Sequence, residues 1–494
     1  MGIMTFQLPS RLPPEIDREM ERCCLVGGPD NMPFPTRYLR EGDLVVLERD
    51  VEESGFLVAP WAVEGAGLLL NSSATLMERG PPYVLLVELA RGKVNQIRNQ
   101  AADWQAGGLV MSEALRDRIR DASLAFGDAV CGDPADLDAR CRRVLGLCHA
   151  ASNDLVDAYV GQVFDIRHQR EQRLDSHLSC RLDASVLRPE TGPHFLRAFD
   201  RVTVPLNWHV VEAEEATYRW DTFDPLIAWA EGHGLEVMAG PMIDFSSAQL
   251  PEWLWMWERD LPSMTSFMCR FVEAAVRRYR TRIRRWQLTA ASNWARVLGL
   301  TEQELMGLTY RLCEAARSID PSIELVLGVS QPWGEYLMAS ERTSPFIFAD
   351  NLIRSGLNLA AIDLEVVMGT TGRGSYCRDR LDLSRLLDLY ALLGVPIHVT
   401  LGYPSSPSGD PEADPEMRVG AGNWHGGFSP QIQADWAASF TSLALCKPYV
   451  QGVNWIHFSD GRPHQFPHSG LLDHTGQPLP ALDVLSELRA LHLS

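Results

Sequence analysis

The sequence predicts an α/β protein, a (β/α)8 TIM barrel preceded by a small β-rich domain and a helical segment. Three observations carry this. From Ser176 onward, apolar runs of strand length alternate with amphipathic stretches eight times. Between residues 32 and 100 the apolar runs are short and divided by Gly, Pro, Asn and Ser. Between these regions apolar residues recur at three- and four-residue steps.

In chain order, the runs 44–47, 55–58, 67–70 and 83–87 read as strands of a sandwich-like domain over 1–105, or of a sheet packed on the barrel. Stretches 115–130 and 137–170 read as helices of a connecting segment, 106–175, broken apart at Gly132, Asp133 and Pro134. Barrel strands are expected at 178–185, 200–208, 235–245, 283–291, 323–331, 359–369, 396–405 and 450–460, within a domain spanning 176–494. Helices are expected between them, among them 225–232, 264–279, 302–318 and 383–393. No GxGxxG opens a strand–helix turn, and no P-loop, GxSxG or HExxH occurs.

Composition narrows the function. The 45 Lys and Arg against 64 Asp and Glu leave a net charge of −19, which repels phosphate backbones and anionic lipid. Neither nucleic acid nor a membrane is expected as partner; a neutral sugar is unaffected. The N-terminus shows no basic region followed by an apolar run, and no CxxC pair occurs among the ten cysteines. Reduced thiols and a cytoplasmic location are expected.

Several strings resemble glycoside hydrolase family 10, the endo-xylanase barrel. They are Asn207-Trp208 with Glu212 and Tyr218-Arg219-Trp220-Asp221, then Gln249-Leu250-Pro251-Glu252-Trp253 and Arg278-Tyr279-Arg280-x-x-Ile283-x-x-Trp286. Gly452-Val453-Asn454-Trp455, Gly470-Leu471-Leu472-Asp473 and Gln477-Pro478-Leu479-Pro480-Ala481 complete the series in the family's order. The resemblance implies a sugar-binding barrel mouth. It also places Ala291 and Leu401 where the family carries its acid/base and nucleophilic glutamates, and Asn207 where it carries a lysine. Neither Ala nor Leu can protonate a leaving group or attack an anomeric carbon.

The polar groups expected at the strand ends are Asp244, Gln331, Glu335, Asp363, Glu365, His457 and Asp460. Glu365 falls where the family has a sugar-contacting glutamine. Glu365 and Asp244 are the expected catalytic pair, with Glu365 a desolvated general acid and Asp244 ionised. Asn207, Trp208, Gln331, Trp333, Glu335, Tyr403, Trp424, Trp455, His457 and Asp460 are expected to bind substrate, the aromatics by stacking on sugar faces. Trp253, Trp255 and Trp257 read as packing residues.

His457, Asp460, His464 and His468 lie close in sequence, but their spacing fits no helical ligand motif and Pro463 and Pro467 intervene. No metal or other cofactor is expected. The long segment 404–430 reads as a lid with 423–427 at its tip. Two functions follow: a carbohydrate-active hydrolase with relocated carboxylates, or a non-catalytic carbohydrate-binding pseudoenzyme.

Overall fold

The computed structural model describes residues 2–28, 30–339 and 342–493. Eight parallel strands close a barrel: β1 (His177–Arg181), β2 (Arg201–Val204), β3 (Glu236–Ala239), β4 (Arg285–Gln287), β5 (Glu324–Ser330), β6 (Leu359–Val367), β7 (Ile397–Gly402) and β8 (Val450–Trp455), with β8 pairing back onto β1. Seven fall within the expected runs, and the first begins one residue before its run. Helices, among them Asp224–Gly232, Leu261–Tyr279, Glu302–Ile319 and Arg380–Ala391, cover the strands. Strand β6 is the longest, and only Ala360 along it is not buried. That is the pattern of a parallel strand covered on both faces.

β3 and β4 stop early for a local reason. Gly240 has φ +124°, and a Cβ there would stand 2.0 Å from the Gln287 carbonyl oxygen. Only glycine permits that approach. Beyond it the two chains pair again, Ile243–Asp244 against Thr289–Ala290, which sets Asp244 above the barrel rim.

The N-terminal region holds two sheets. One joins Gly2–Gln7, Arg37–Glu41, Leu44–Arg49 and Tyr83–Val84; the other joins Cys24–Gly27, Met32–Pro33, Phe56–Val63 and Gly67–Ser72. The second sheet takes its last strand, Asn423–Trp424, from the barrel's own loop after β7. One apolar core runs without a break from Met4 to Leu493, so the N-terminal sheets are built onto the barrel and share its core.

One expectation fails here. The run 83–87 is extended only at Tyr83–Val84, and Leu85–Ala106 is a helix. Its buried Leu85, Leu89, Val94, Ile97, Ala101 and Trp104 repeat at helical spacing, which a five-residue apolar run cannot reveal. Helices Glu113–Cys131 and Leu137–Arg170 follow. All ten cysteines are free thiols. No described helix is long and apolar enough to cross a membrane.

A buried ion pair fastens the first helix to the barrel. Lys93 Nζ meets Asp379, whose side chain also accepts from Asp382 N and so caps the Arg380–Ala391 helix. Burial pushes the Asp379 carboxyl up, but the Lys93 ammonium and the His149 ring outweigh it and hold it below its ordinary value. Breaking a buried pair from one side leaves a charge uncompensated, so Lys93→Met is expected to cost about 3–5 kcal/mol in denaturant unfolding at pH 7. Because the folded-state value is depressed, the pair's contribution is present above the unfolded-state value of about 4 and is lost as pH falls below it. The variant's deficit is therefore expected to shrink in unfolding curves taken at successively lower pH below about 4. A deficit that stays constant across that window would remove Asp379 as its source.

Candidate functional site

At the C-terminal ends of the strands, where such barrels carry their sites, lies a cleft of about 520 Å³. Asn207 and His209 after β2, Asp244 above β3, and His457 and Ser459 after β8 contribute to its walls. Residues 412–415 from the loop after β7, and Arg462 and His464 beyond β8, contribute the rest. Polar and apolar side chains are mixed in the lining, and Phe223 is the one aromatic side chain other than histidine among the lining residues.

Beneath the cleft sits an arginine that pairs with both expected catalytic carboxylates. Arg373 is completely buried. Its Nε donates to Glu365 Oε1 at 2.6 Å and its Nη2 to Glu365 Oε2 at 2.9 Å, while its Nη1 donates to Asp244 Oδ2. Arg181 Nη2 approaches Glu365 Oε2 at 3.5 Å from β1. The fork of one guanidinium thus joins strand six to the rim of strand three. Glycines bring it there: the turn Gly369-Thr370-Thr371-Gly372-Arg373-Gly374 follows β6, with Gly369 at φ +80° and Gly372 at φ +91°. Gln331, at the end of β5, donates from Nε2 to the Gly372 carbonyl at 3.1 Å and so braces the turn. An arginine between glycines, eight residues past Glu365, was the available signal.

The expected roles of the two carboxylates change accordingly. Asp244 is buried, which pushes its carboxyl up, but the Arg373 guanidinium and the Ser246 donors outweigh this and hold it below the usual range. Glu365 does not stand free at the mouth: both its oxygens accept from Arg373. It is also absent from the cleft lining. The carboxyl pushed up towards neutrality, to about 6 by burial, is Asp363. It lies one layer deeper in the barrel, where Thr400 Oγ1 donates to it at 2.8 Å beside the Asn454, Ser179 and Thr203 side chains.

On the opposite wall, the histidine loop turns back on itself. His464 backbone pairs with Glu412 and Asp414, and His457 Nε2 meets Asp460 Oδ1 at 3.0 Å. Burial and the neighbouring His464 push His457 down to about 4. His464 moves the other way: burial lowers it, but Asp410, the Arg462 carbonyl and Asp460 raise it above its ordinary value.

Glycosyl hydrolase family 10 supplies the family model that matches this chain, over residues 188–327. The barrel is glycosyl hydrolase family 10-like. Among solved structures, the chain is similar to native xylanase 10B from Thermotoga maritima, at 14% identity over 64% of this chain and 94% of that one, with a TM-score of 0.47. It is similar also to a family 10 protein from Paenibacillus barcinonensis, at 16% identity over 65% and 96%, with a TM-score of 0.48.

Within this family 10-like barrel the expected aromatic platform does not form. Trp208 is buried, donates to Glu212 Oε2 at 2.7 Å and stacks on Phe271. Trp455 donates to the Ser469 carbonyl at 2.8 Å, and Tyr403 to the Gly427 carbonyl at 2.8 Å; both rings are core. Trp333 and Glu335 face a separate cavity of about 140 Å³ against the N-terminal sheet. Glu335 is held there by Tyr376 N and Arg378. Trp424 is not a lid tip: it pairs with Gly67, and His425 N donates to the Ala66 carbonyl at 2.7 Å. Gln331 braces the arginine turn, and Asp460 is buried behind His457. Of the expected site residues, Asn207, Asp244 and His457 line the cleft. Ala291, just past β4, and Leu401, on β7, are both wholly buried hydrocarbon.

Removing the shared cation tests the triad. Arg373→Met leaves Asp244 and Glu365 buried without compensation and is expected to cost about 3–5 kcal/mol at pH 7, less where the carboxyls are protonated. Glu365→Gln keeps one hydrogen-bonding face and should cost about 1–3 kcal/mol. Equal melting temperatures for wild type and Arg373→Met would show that the triad does not hold the mouth together.

Proposed function

We propose that this chain is a non-catalytic carbohydrate-binding protein whose barrel-mouth cleft takes a short neutral oligosaccharide or sugar derivative. One observation carries the reading: Arg373 occupies both carboxylates that would have formed the acid–base pair. A hydrolase needs one carboxyl that donates a proton and a second that attacks or activates water. Here one guanidinium bonds to both, so both carboxylates are engaged with the protein itself. The ligand class rests on the family match and on the cleft. A lining of Asn207, Asp244, His457 and Ser459 supplies hydrogen-bonding groups for hydroxyls, and the net charge of −19 leaves a neutral ligand unopposed.

A second reading, a hydrolase with relocated carboxylates, has one specific support. Asp183 lines the same cleft as Asp244, and burial raises its carboxyl although Ser185 and Ser459 donate to it. Two carboxyls displaced in opposite directions are the usual arrangement of an acid and a base.

Calorimetric titration with a panel of neutral oligosaccharides, with product analysis on the same samples, separates the readings. Binding without product is expected. Asp244→Asn should weaken binding about tenfold or more through loss of a charged hydrogen-bond acceptor, about 1.5–3 kcal/mol. Product formed by wild type and abolished in Asp183→Asn, with melting temperature retained, would overturn the binding reading and establish the hydrolase.

A further inference from the structure

Two aspartates are buried in the wall of the cleft with histidines around them. The Asp410 side chain is fully buried, as is nearly all of the Asp460 side chain. His464 Nε2 lies 3.1 Å from Asp410 Oδ2 and 3.9 Å from Asp460 Oδ1, and His457 Nε2 lies 3.0 Å from Asp460 Oδ1. His457, Asp460 and His464 offer three ligand atoms that all lie within 4.8 Å of one another. Four ligands about 2.1 Å from a tetrahedral cation stand about 3.4 Å apart, within the spread of these distances.

The far sides of the rings fix the near sides. His464 Nδ1 lies 2.7 Å from the Arg462 carbonyl, and a carbonyl only accepts, so Nδ1 carries the hydrogen. His468 stands nearby, its Nε2 3.1 Å from both the Ser408 carbonyl and the Ser408 hydroxyl and its Nδ1 3.6 Å from Asp410 Oδ2. In the neutral tautomer the His464 ring then points a lone pair at the carboxylates, an arrangement that repels unless a positive charge lies between them. Either a second proton on the ring or a metal cation supplies it. A ring whose outer N–H is fixed by a backbone carbonyl is also the arrangement that orients metal-binding histidines. The backbone is shaped around the same group. Gly470 N donates to Asp460 Oδ1 at 2.7 Å, and a Cβ on Gly470 would stand 2.5 Å from that oxygen.

We propose that His457, Asp460 and His464, with Asp410 as the fourth ligand or the group that orients His464, bind one divalent transition-metal cation such as zinc in the cleft wall. Nitrogen and carboxylate donors in this number suit zinc and its neighbours rather than calcium or magnesium, which take oxygen donors. The proposal reverses the expectation drawn from spacing along the chain. The ligands come from the strand-eight loop and, for Asp410, from the loop after β7, which fold together only in three dimensions. It does not depend on whether the cleft binds sugar or hydrolyses it.

The full chain, stripped with chelator and dialysed, is titrated with Zn2+ alone. One Zn2+ per chain is expected, with a melting temperature that rises with zinc concentration as for any ligand of the folded state. His464→Ala and His457→Ala should each weaken binding by tenfold or more. His168→Ala, which disrupts the separate His168–His492 contact on the far side of the molecule, should leave it unchanged. If either site variant fails to fold, anomalous scattering at the zinc edge from crystals of the wild-type complex decides. A peak between His457, Asp460 and His464 is expected. No stoichiometric binding, binding that survives both site variants, or a peak elsewhere would overturn the proposal and leave the second proton as the compensating charge.

Discussion

A single buried guanidinium, Arg373, ties together the mouth of this barrel. It enters from the turn after β6, binds Glu365 on that strand through two nitrogens, and reaches Asp244 on the strand-three extension with the third. The desolvation cost of three buried charges is large, and it is offset only while all three remain together. The cluster therefore acts as one unit. It fixes the relative position of two sides of the barrel rim, keeps Asp244 ionised at the floor of the cleft, and withdraws Glu365 from any contact with a ligand.

The rest of the molecule is arranged so that this rim stays in place. The N-terminal sheets and the three helices after them share a continuous core with the barrel, and the Lys93–Asp379 pair fixes the first helix to the start of the Arg380–Ala391 helix. That helix begins a few residues after the arginine turn. The strand Asn423–Trp424, donated to the N-terminal sheet, holds the far end of the loop after β7. The nearer part of the same loop, residues 412–415, forms a wall of the cleft and pairs with the histidine loop at His464. Segments that look like free loops in the sequence are thus tied down at both ends by parts of the chain distant from them.

The two walls of the cleft treat buried charge in different ways. On one side an arginine compensates two carboxylates. On the other, Asp410 and Asp460 both face His464, whose outer nitrogen is already engaged by the Arg462 carbonyl. Arginine is positive at every accessible pH, so the cation of the first wall is always present. Imidazole becomes positive only by taking up a proton, and when neutral it is a metal ligand, so the second wall is the chemically variable one.

The eight strands were legible in the sequence because blocks rich in apolar residues alternate with amphipathic helices, the longest such block being β6, whose burial on both faces favours an almost unbroken apolar run. Ala291 and Leu401 could likewise be assessed from residue type alone, since hydrocarbon does no acid–base chemistry in any fold. The helix Leu85–Ala106 was misread where its first residues are uniformly apolar and carry no period. The site was less legible, because a side chain's role depends on what stands opposite it. Trp208 and Trp455 are large and aromatic in either case, and only packing decided that they are core. Glu365 is a carboxylate near a strand end by sequence, but its partner lies in a turn whose glycines curl it back into the barrel. The histidines are prominent along the chain, whereas Asp410 joins them only because two loops after different strands pair in space. Residue type and periodicity determine what is buried; which charges meet there is decided by tertiary contact alone.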